Sequence, residues 1–185
     1  MSAGTRAAPT VLVLPGWQDS GPGHWQSRWQ ALHPAWRRVE QADWFHPRRA
    51  DWVATLDAVA AATPGDLVLL AHSLGCITVA HWAAGAPAAA TRVRHAFLVA
   101  SPDIGRDDLP AELADFAPAP QAPLPFAATL VASRDDPFCS FARAQALAAD
   151  WGAPLWDIGK AGHINATAGH GDWPEGLARL QALLG

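Results

Sequence analysis

The sequence contains no tyrosine, only two cysteines, and few charges: 16% of its 185 residues are Asp, Glu, Lys or Arg. The charges form no long run of one sign. Arg37-Arg38 and Arg48-Arg49 are too short for a stripe that tracks a nucleic-acid backbone, so each is read as a solvated face and no nucleic-acid partner is expected. Two cysteines, Cys76 and Cys139, do not build a disulfide framework, and inert packing is expected of both. The first ten residues hold one arginine and no apolar stretch of the signal-peptide kind. No apolar run approaches the ~18 residues of a membrane span. These absences lead to the expectation of a cytoplasmic protein with reduced thiols and no membrane association. Neither G-x-G-x-x-G nor G-x-x-x-x-G-K-[ST] occurs, and His, Cys, Asp and Glu show no metal-ligand spacing, so no cofactor or metal is expected. Ten tryptophans stand against the missing tyrosine. They suit either ordinary core packing or an apolar substrate cleft.

What is present is a regular alternation of short apolar runs and helix-like segments. The length suits one domain, expected over 10–185 behind a flexible N-terminus at 1–9. Strands are predicted at 11–14, 37–41 (weakly), 66–71, 95–100, 129–132 and 154–158. Apart from 37–41, each is a brief, mainly apolar stretch, the first closed by the turn signal Pro15-Gly16. Helices are predicted at 23–32, 52–62 with Asp51 as cap, 74–84, 140–150 and 173–184, where apolar residues recur at helical spacing. The proline-rich stretch 102–127 reads as an excursion with one short helix near 109–115. Strands alternating with helices imply a mostly parallel sheet covered on both faces, a three-layer α/β/α sandwich with its ligand site beyond the carboxyl ends of the strands.

Ala71-His72-Ser73-Leu74-Gly75 lies between the clearest strand and a helix. It fits the nucleophile elbow, small-x-Ser-x-Gly, in which a sharp turn presents a strained serine at the sheet edge. The competing reading is a turn serine that caps the helix. A serine hydroxyl needs a base, and the base needs an acid to fix its tautomer. In this architecture they follow in the order Ser, acid, His. The acid is expected in Arg134-Asp135-Asp136-Pro137-Phe138, with Asp136 preferred and Asp135 either the acid or a support for the loop. The histidine is expected in the Gly-flanked, mobile loop Gly162-His163-Ile164-Asn165, with His170 as rival. The backbone amides of Leu74 and Trp17 are expected to form an oxyanion hole, with Gly16 allowing close approach. Gly16 and Phe138 are candidate substrate contacts, and Trp25 either joins them or packs the first helix under the oxyanion loop.

With these segments placed, the chain resembles the retinoblastoma-binding protein 9 and YdeN-like serine hydrolases, a minimal branch of the α/β hydrolases. The resemblance is carried by Leu14-Pro15-Gly16-Trp17, His24-Trp25, Ala71-His72-Ser73-Leu74-Gly75-Cys76, Ser101-Pro102, Ser133 to Phe138, and Gly162-His163-Ile164-Asn165. It implies an α/β-hydrolase fold without a large lid and hydrolysis of small esters or amides by Ser73, His163 and Asp136. Small carboxylic esters are the first expectation. Amides, with Asp19 or Asp103 holding a substrate amine, are the second. A non-catalytic binding protein on the same fold is the third. The namesake's L-x-C-x-E partner segment is not matched, because Leu74-Gly75-Cys76-Ile77-Thr78 lacks the glutamate.

Overall fold

Side chains along each strand point alternately to opposite faces, and the apolar residues here fall into two sets accordingly. Leu12, Leu14, Leu69, Ala71, Leu98 and Leu130 join one buried cluster. Val11, Val13, Leu70, Phe97, Val99 and Val131 join the other. A computed structural model describes residues 7–184. Residues 1–6 of the expected flexible N-terminus lie outside the described residues.

The strands β1 (Thr10–Leu14), β2 (Arg37–Arg38), β3 (Leu67–His72), β4 (Val93–Val99), β5 (Ala128–Ala132) and β6 (Leu155–Asp157) form one sheet in the order β2-β1-β3-β4-β5-β6. Every neighbouring pair is parallel. The helices are α1 (Trp25–Leu32), α2 (Arg49–Ala62), α3 (Leu74–Ala84), α4 (Phe141–Trp151) and α5 (Pro174–Leu184). Trp52 and Leu56 of α2, Ile77 of α3 and Leu147 of α4 cover the first face. Trp25 and Trp29 of α1 and Leu180 of α5 cover the second. The expected three layers are therefore found. Short 3-10 turns occupy Ala88–Arg92 and Ala111–Phe116. Among the described residues no helix is long and apolar enough to cross a membrane.

Two expectations need correction. Asp51 does not cap α2. The helix starts earlier, after an extended Arg48, and Asp51 lies in its first turn. The Arg49 N–H is instead met by the Asp115 carboxylate from the excursion, 2.8 Å away. The strand predicted over 37–41 is only the pair Arg37–Arg38.

The chain leaves β1 toward β2 and returns on the other side as β3, so β1 and β3 flank the point where strand order reverses. Ligands of open α/β sheets bind in the crevice at such a point. Gln26 of α1 closes its floor. Its buried side-chain amide donates to Leu14 O at 3.0 Å and to Leu70 O at 3.1 Å, and accepts from Ser20 Oγ at 2.6 Å. The strand-end carbonyls are thus satisfied without water.

Candidate active site

Ser73 sits at the crevice with φ +53° and ψ −125°, a left-handed conformation that costs a non-glycine residue roughly 1–3 kcal/mol. The surroundings impose it. Ser73 N donates to Val99 O at 2.9 Å and Cys76 N to Ser73 O at 2.9 Å, so the turn is tied to β4 on one side and to α3 on the other. Two glycines make the close packing possible. A Cβ on Gly75 would stand 2.5 Å from Leu14 O, and one on Gly16 would stand 2.7 Å from Ser73 Cβ. Ser73 makes no side-chain cap to α3. Its hydroxyl instead faces His163 Nε2 at 2.9 Å.

His163 Nδ1 lies 3.0 and 2.9 Å from the two oxygens of Asp136. A carboxylate only accepts, so Nδ1 carries the proton and Nε2 is left to accept from Ser73. The Asp136 side chain is 3% exposed and also accepts from Phe138 N at 2.9 Å. A hydroxyl aimed at a neutral imidazole that is held by a buried carboxylate is the arrangement that makes serine nucleophilic. The structure brings Ser73, Asp136 and His163 together in that line and leaves His170 out of it. The His170 ring accompanies Trp173 and Ala168 instead.

The loop carrying His163 is not the mobile segment its glycines suggest; it is held at successive residues. Ala161 N donates to Ser133 Oγ and Gly162 N to Asp135 Oδ1, both at 2.9 Å. His72 Nε2–H donates to His163 O at 2.9 Å, and Trp25 Nε1–H to Ile164 O at 2.8 Å. Asp135, the alternative acid, thus supports the loop, and its carboxyl is held below the usual range by hydrogen bonds from Ser133 and the Gly162 amide. Burial, with His24 and His163 nearby, keeps the His72 imidazole neutral, consistent with an Nε2–H that donates to a carbonyl. His24 caps α1, its Nδ1 accepting from Gln26 N at 3.2 Å, and burial lowers its pKa to about 4.

Trp25 is corrected as a substrate contact. It is fully buried against Trp29, Trp173 and His72 and reaches the site only through Ile164. Most of the tryptophans likewise pack the interior: Trp25, Trp29, Trp52, Trp82 and Trp151 are among the largest fully buried side chains. Trp17 alone borders the open cleft above Ser73. That cleft measures about 370 Å³, within the range of small-molecule sites. Leu74, Leu109, Pro110, Leu113 and Phe138 give it an apolar wall, and Gln18, Asp103, Arg106, Asp108 and Asn165 a polar rim. Phe138 stands edge-on to the His163 ring, centroids 4.6 Å apart. Gly16 lines Ser73 through its backbone. Cys76 and Cys139 are both buried; burial raises both thiols, Cys139 to about 12.

Sequence reasoning gave no role to His72, Ser133 or Arg106. The Arg106 guanidinium grips the Asp108 carboxylate and donates to Pro137 O at 2.8 Å, joining the excursion to the acid loop. His72 was marked beforehand only by its place inside the elbow and Ser133 only as the first residue of the acid segment; Arg106 sits in a loop without a local pattern.

The serine hydrolase family model matches residues 11–182. A YdeN-like hydrolase from Pectobacterium atrosepticum is similar at 31% identity, with 96% of this chain and 94% of that one covered and a TM-score of 0.84. The ydeN gene product of Bacillus subtilis shares the fold at 21% identity, covering 95% and 98%, with a TM-score of 0.72. The esterase RhEst1 from Rhodococcus shares it at 14% identity, covering 96% and 92%, with a TM-score of 0.70. No curated protein matches the sequence. The match across nearly all of the chain, on a parallel sheet without a large lid, places it: this chain belongs to the serine hydrolase family, as a YdeN-like member of the α/β-hydrolase superfamily.

Proposed function

We propose that the protein hydrolyses small carboxylic esters through an acyl-enzyme on Ser73, with His163 as base and Asp136 as the acid that orients it. The observation that carries this reading is the unbroken line from Ser73 Oγ to His163 to Asp136, each step 2.9 to 3.0 Å, at the edge of the cleft. Neutral His163 takes the hydroxyl proton at Nε2 as Ser73 Oγ attacks the ester carbonyl. Asp136 pairs with the imidazolium, and the amides of Trp17 and Leu74 donate to the oxyanion, each worth roughly 3 kcal/mol in the transition state. His163 then returns the proton to the leaving alcohol, and water cleaves the acyl-enzyme by the same steps in reverse roles. Phe138 and the backbone at Gly16 flank the reacting carbon, and the apolar wall takes the acyl group.

The preference for esters over aminoacyl amides follows from where the carboxylates lie. Asp19 is engaged by Arg38 at 2.5 Å. Asp103 borders the cleft but already accepts from Gly105 N and Arg143 Nε. Each carboxylate already faces a guanidinium, which offsets its attraction for a substrate ammonium. The test is a screen of p-nitrophenyl esters of graded acyl length beside aminoacyl amides, with fluorophosphonate labelling of wild type and Ser73→Ala. Ester turnover and labelling that both disappear in Ser73→Ala are expected. Faster turnover of the amides would replace the ester assignment, and a wild type inert to the probe would favour a non-catalytic binding protein.

A further inference from the structure

A small cavity separate from the open cleft is lined by Asp136 and by neither Ser73 nor His163. Ser101, Ala132, Ser133, Cys139 and Asp136 are among its walls, and its volume is about 10 Å³, close to the space one water molecule occupies. The Asp136 side chain is nearly sealed from solvent, yet among the described residues its donors are only the Phe138 amide and His163 Nδ1. A carboxylate offers about four acceptor positions, and a buried charge with few donors is costly. Ser101, which lines the same cavity, is 4% exposed. Its Oγ is one of the buried side-chain polar atoms that find no partner among the described residues. The other polar groups of the wall are committed: Ser133 Oγ to Asp135 and the Ala161 amide, Cys139 Sγ to Ser140 O.

We propose that Ser101 and one water enclosed in this cavity form a donor relay to Asp136, making Ser101 a positioning residue for the triad acid. Ser101 Oγ–H donates to the water oxygen, and a water O–H donates to the Asp136 carboxylate. The inference rests on the triad reading above, because its effect is exerted when His163 becomes cationic. The relay holds negative charge on Asp136 and fixes the carboxylate plane against the imidazole. It satisfies the Ser101 hydroxyl and the under-bonded carboxylate with a single molecule.

Labelling of the wild type and its loss in Ser73→Ala are measured first, so that the triad reading is tested independently of Ser101. Ser101→Ala is expected to lower kcat by about tenfold at unchanged KM, the size of one hydrogen bond to a charged group, whereas Ser101→Thr, which keeps the hydroxyl, stays within about threefold. The downfield proton resonance of His163 Nδ1–H should move in Ser101→Ala and hold in Ser101→Thr. A high-resolution crystal structure of the wild type should show an ordered water in hydrogen-bond reach of both Ser101 Oγ and Asp136, a measurement that requires no variant to fold. A labelled wild type combined with a Ser101→Ala that matches it in kcat and resonance overturns the relay alone. So does a Ser101→Thr that falls as far as Ser101→Ala, or a cavity without the water. A wild type that does not label overturns the triad and the relay together.

Discussion

The two sides of the cleft are held in different ways. On one side, residues 161–164 are tied by Ser133, Asp135, His72 and Trp25, of which all but the exposed Asp135 are buried. On the other, the excursion wall at 103–113 is tied to the acid loop through its rim: Asp103 N to Phe138 O, Arg106 to Pro137 O, and Asp103 to Arg143. The Arg106–Asp108 pair is open to water on its acid side, where an ion pair contributes little to stability. The side that presents the imidazole is held by hydrogen bonds at each of four successive residues, and the side proposed to meet the acyl group is joined to the acid loop by fewer bonds at its rim. Chemistry and substrate choice should therefore respond to different substitutions.

The comparison breaks first where the chemistry is. Ser73→Ala should lose on the order of 10⁶ in kcat toward a short p-nitrophenyl ester with the fold intact by circular dichroism. Asp136→Asn should lose roughly 10⁴, because the imidazole is then held in the wrong tautomer. A step down, His72→Phe removes the donor to His163 O while keeping a ring in the core. A loosened base loop should cost roughly 10²-fold in kcat with KM nearly unchanged. Across the cleft the pattern inverts. Leu109→Ala should raise KM for the longest accepted acyl chain by about tenfold, the scale of a lost apolar contact, while kcat for an acetyl ester holds. If Leu109→Ala lowers kcat for all chain lengths alike, the two sides are not separable.

The smallest effect on activity at neutral pH accompanies the largest dependence on acid. His24 and His72 are kept neutral in the folded protein, His24 down to about 4, against an ordinary value of 6.5. Between those values the unfolded chain binds the extra protons, so stability is full above 6.5 and falls as pH drops toward 4, by about 3 kcal/mol for His24 alone. Urea midpoints at pH 7 and pH 4.5 measure the fall, and His24→Asn, which keeps a capping acceptor, should flatten it.

Much of this was legible in the residues. Short apolar runs located five of the strands closely, two of them ended by Pro-Gly or by the small-x-Ser-x-Gly turn, because a buried parallel strand needs apolar side chains on both faces. The order of serine, acid and histidine followed from the loops after successive strands. The choice between Asp135 and Asp136 did not, since adjacent turn residues look alike and only tertiary contacts separate the one that meets His163 from the one that meets Gly162. The start of α2 was missed for a similar reason: its first amide is met by Asp115, far along the chain. Trp25 looked like a cleft residue because it adjoins the oxyanion loop in sequence, yet helical direction turns it into the core.

That inward turn has a further consequence. Trp25 belongs to α1, whose layer lies across the sheet from α3, and its indole grips Ile164 next to the imidazole. Undocking of this one short helix would remove the Ile164 anchor and loosen the loop beside the histidine while the strands remain paired. On warming, turnover should therefore fade several degrees before the far-ultraviolet signal of the sheet collapses, and the heat tolerance of the enzyme would be governed by how firmly eight residues at the periphery stay seated.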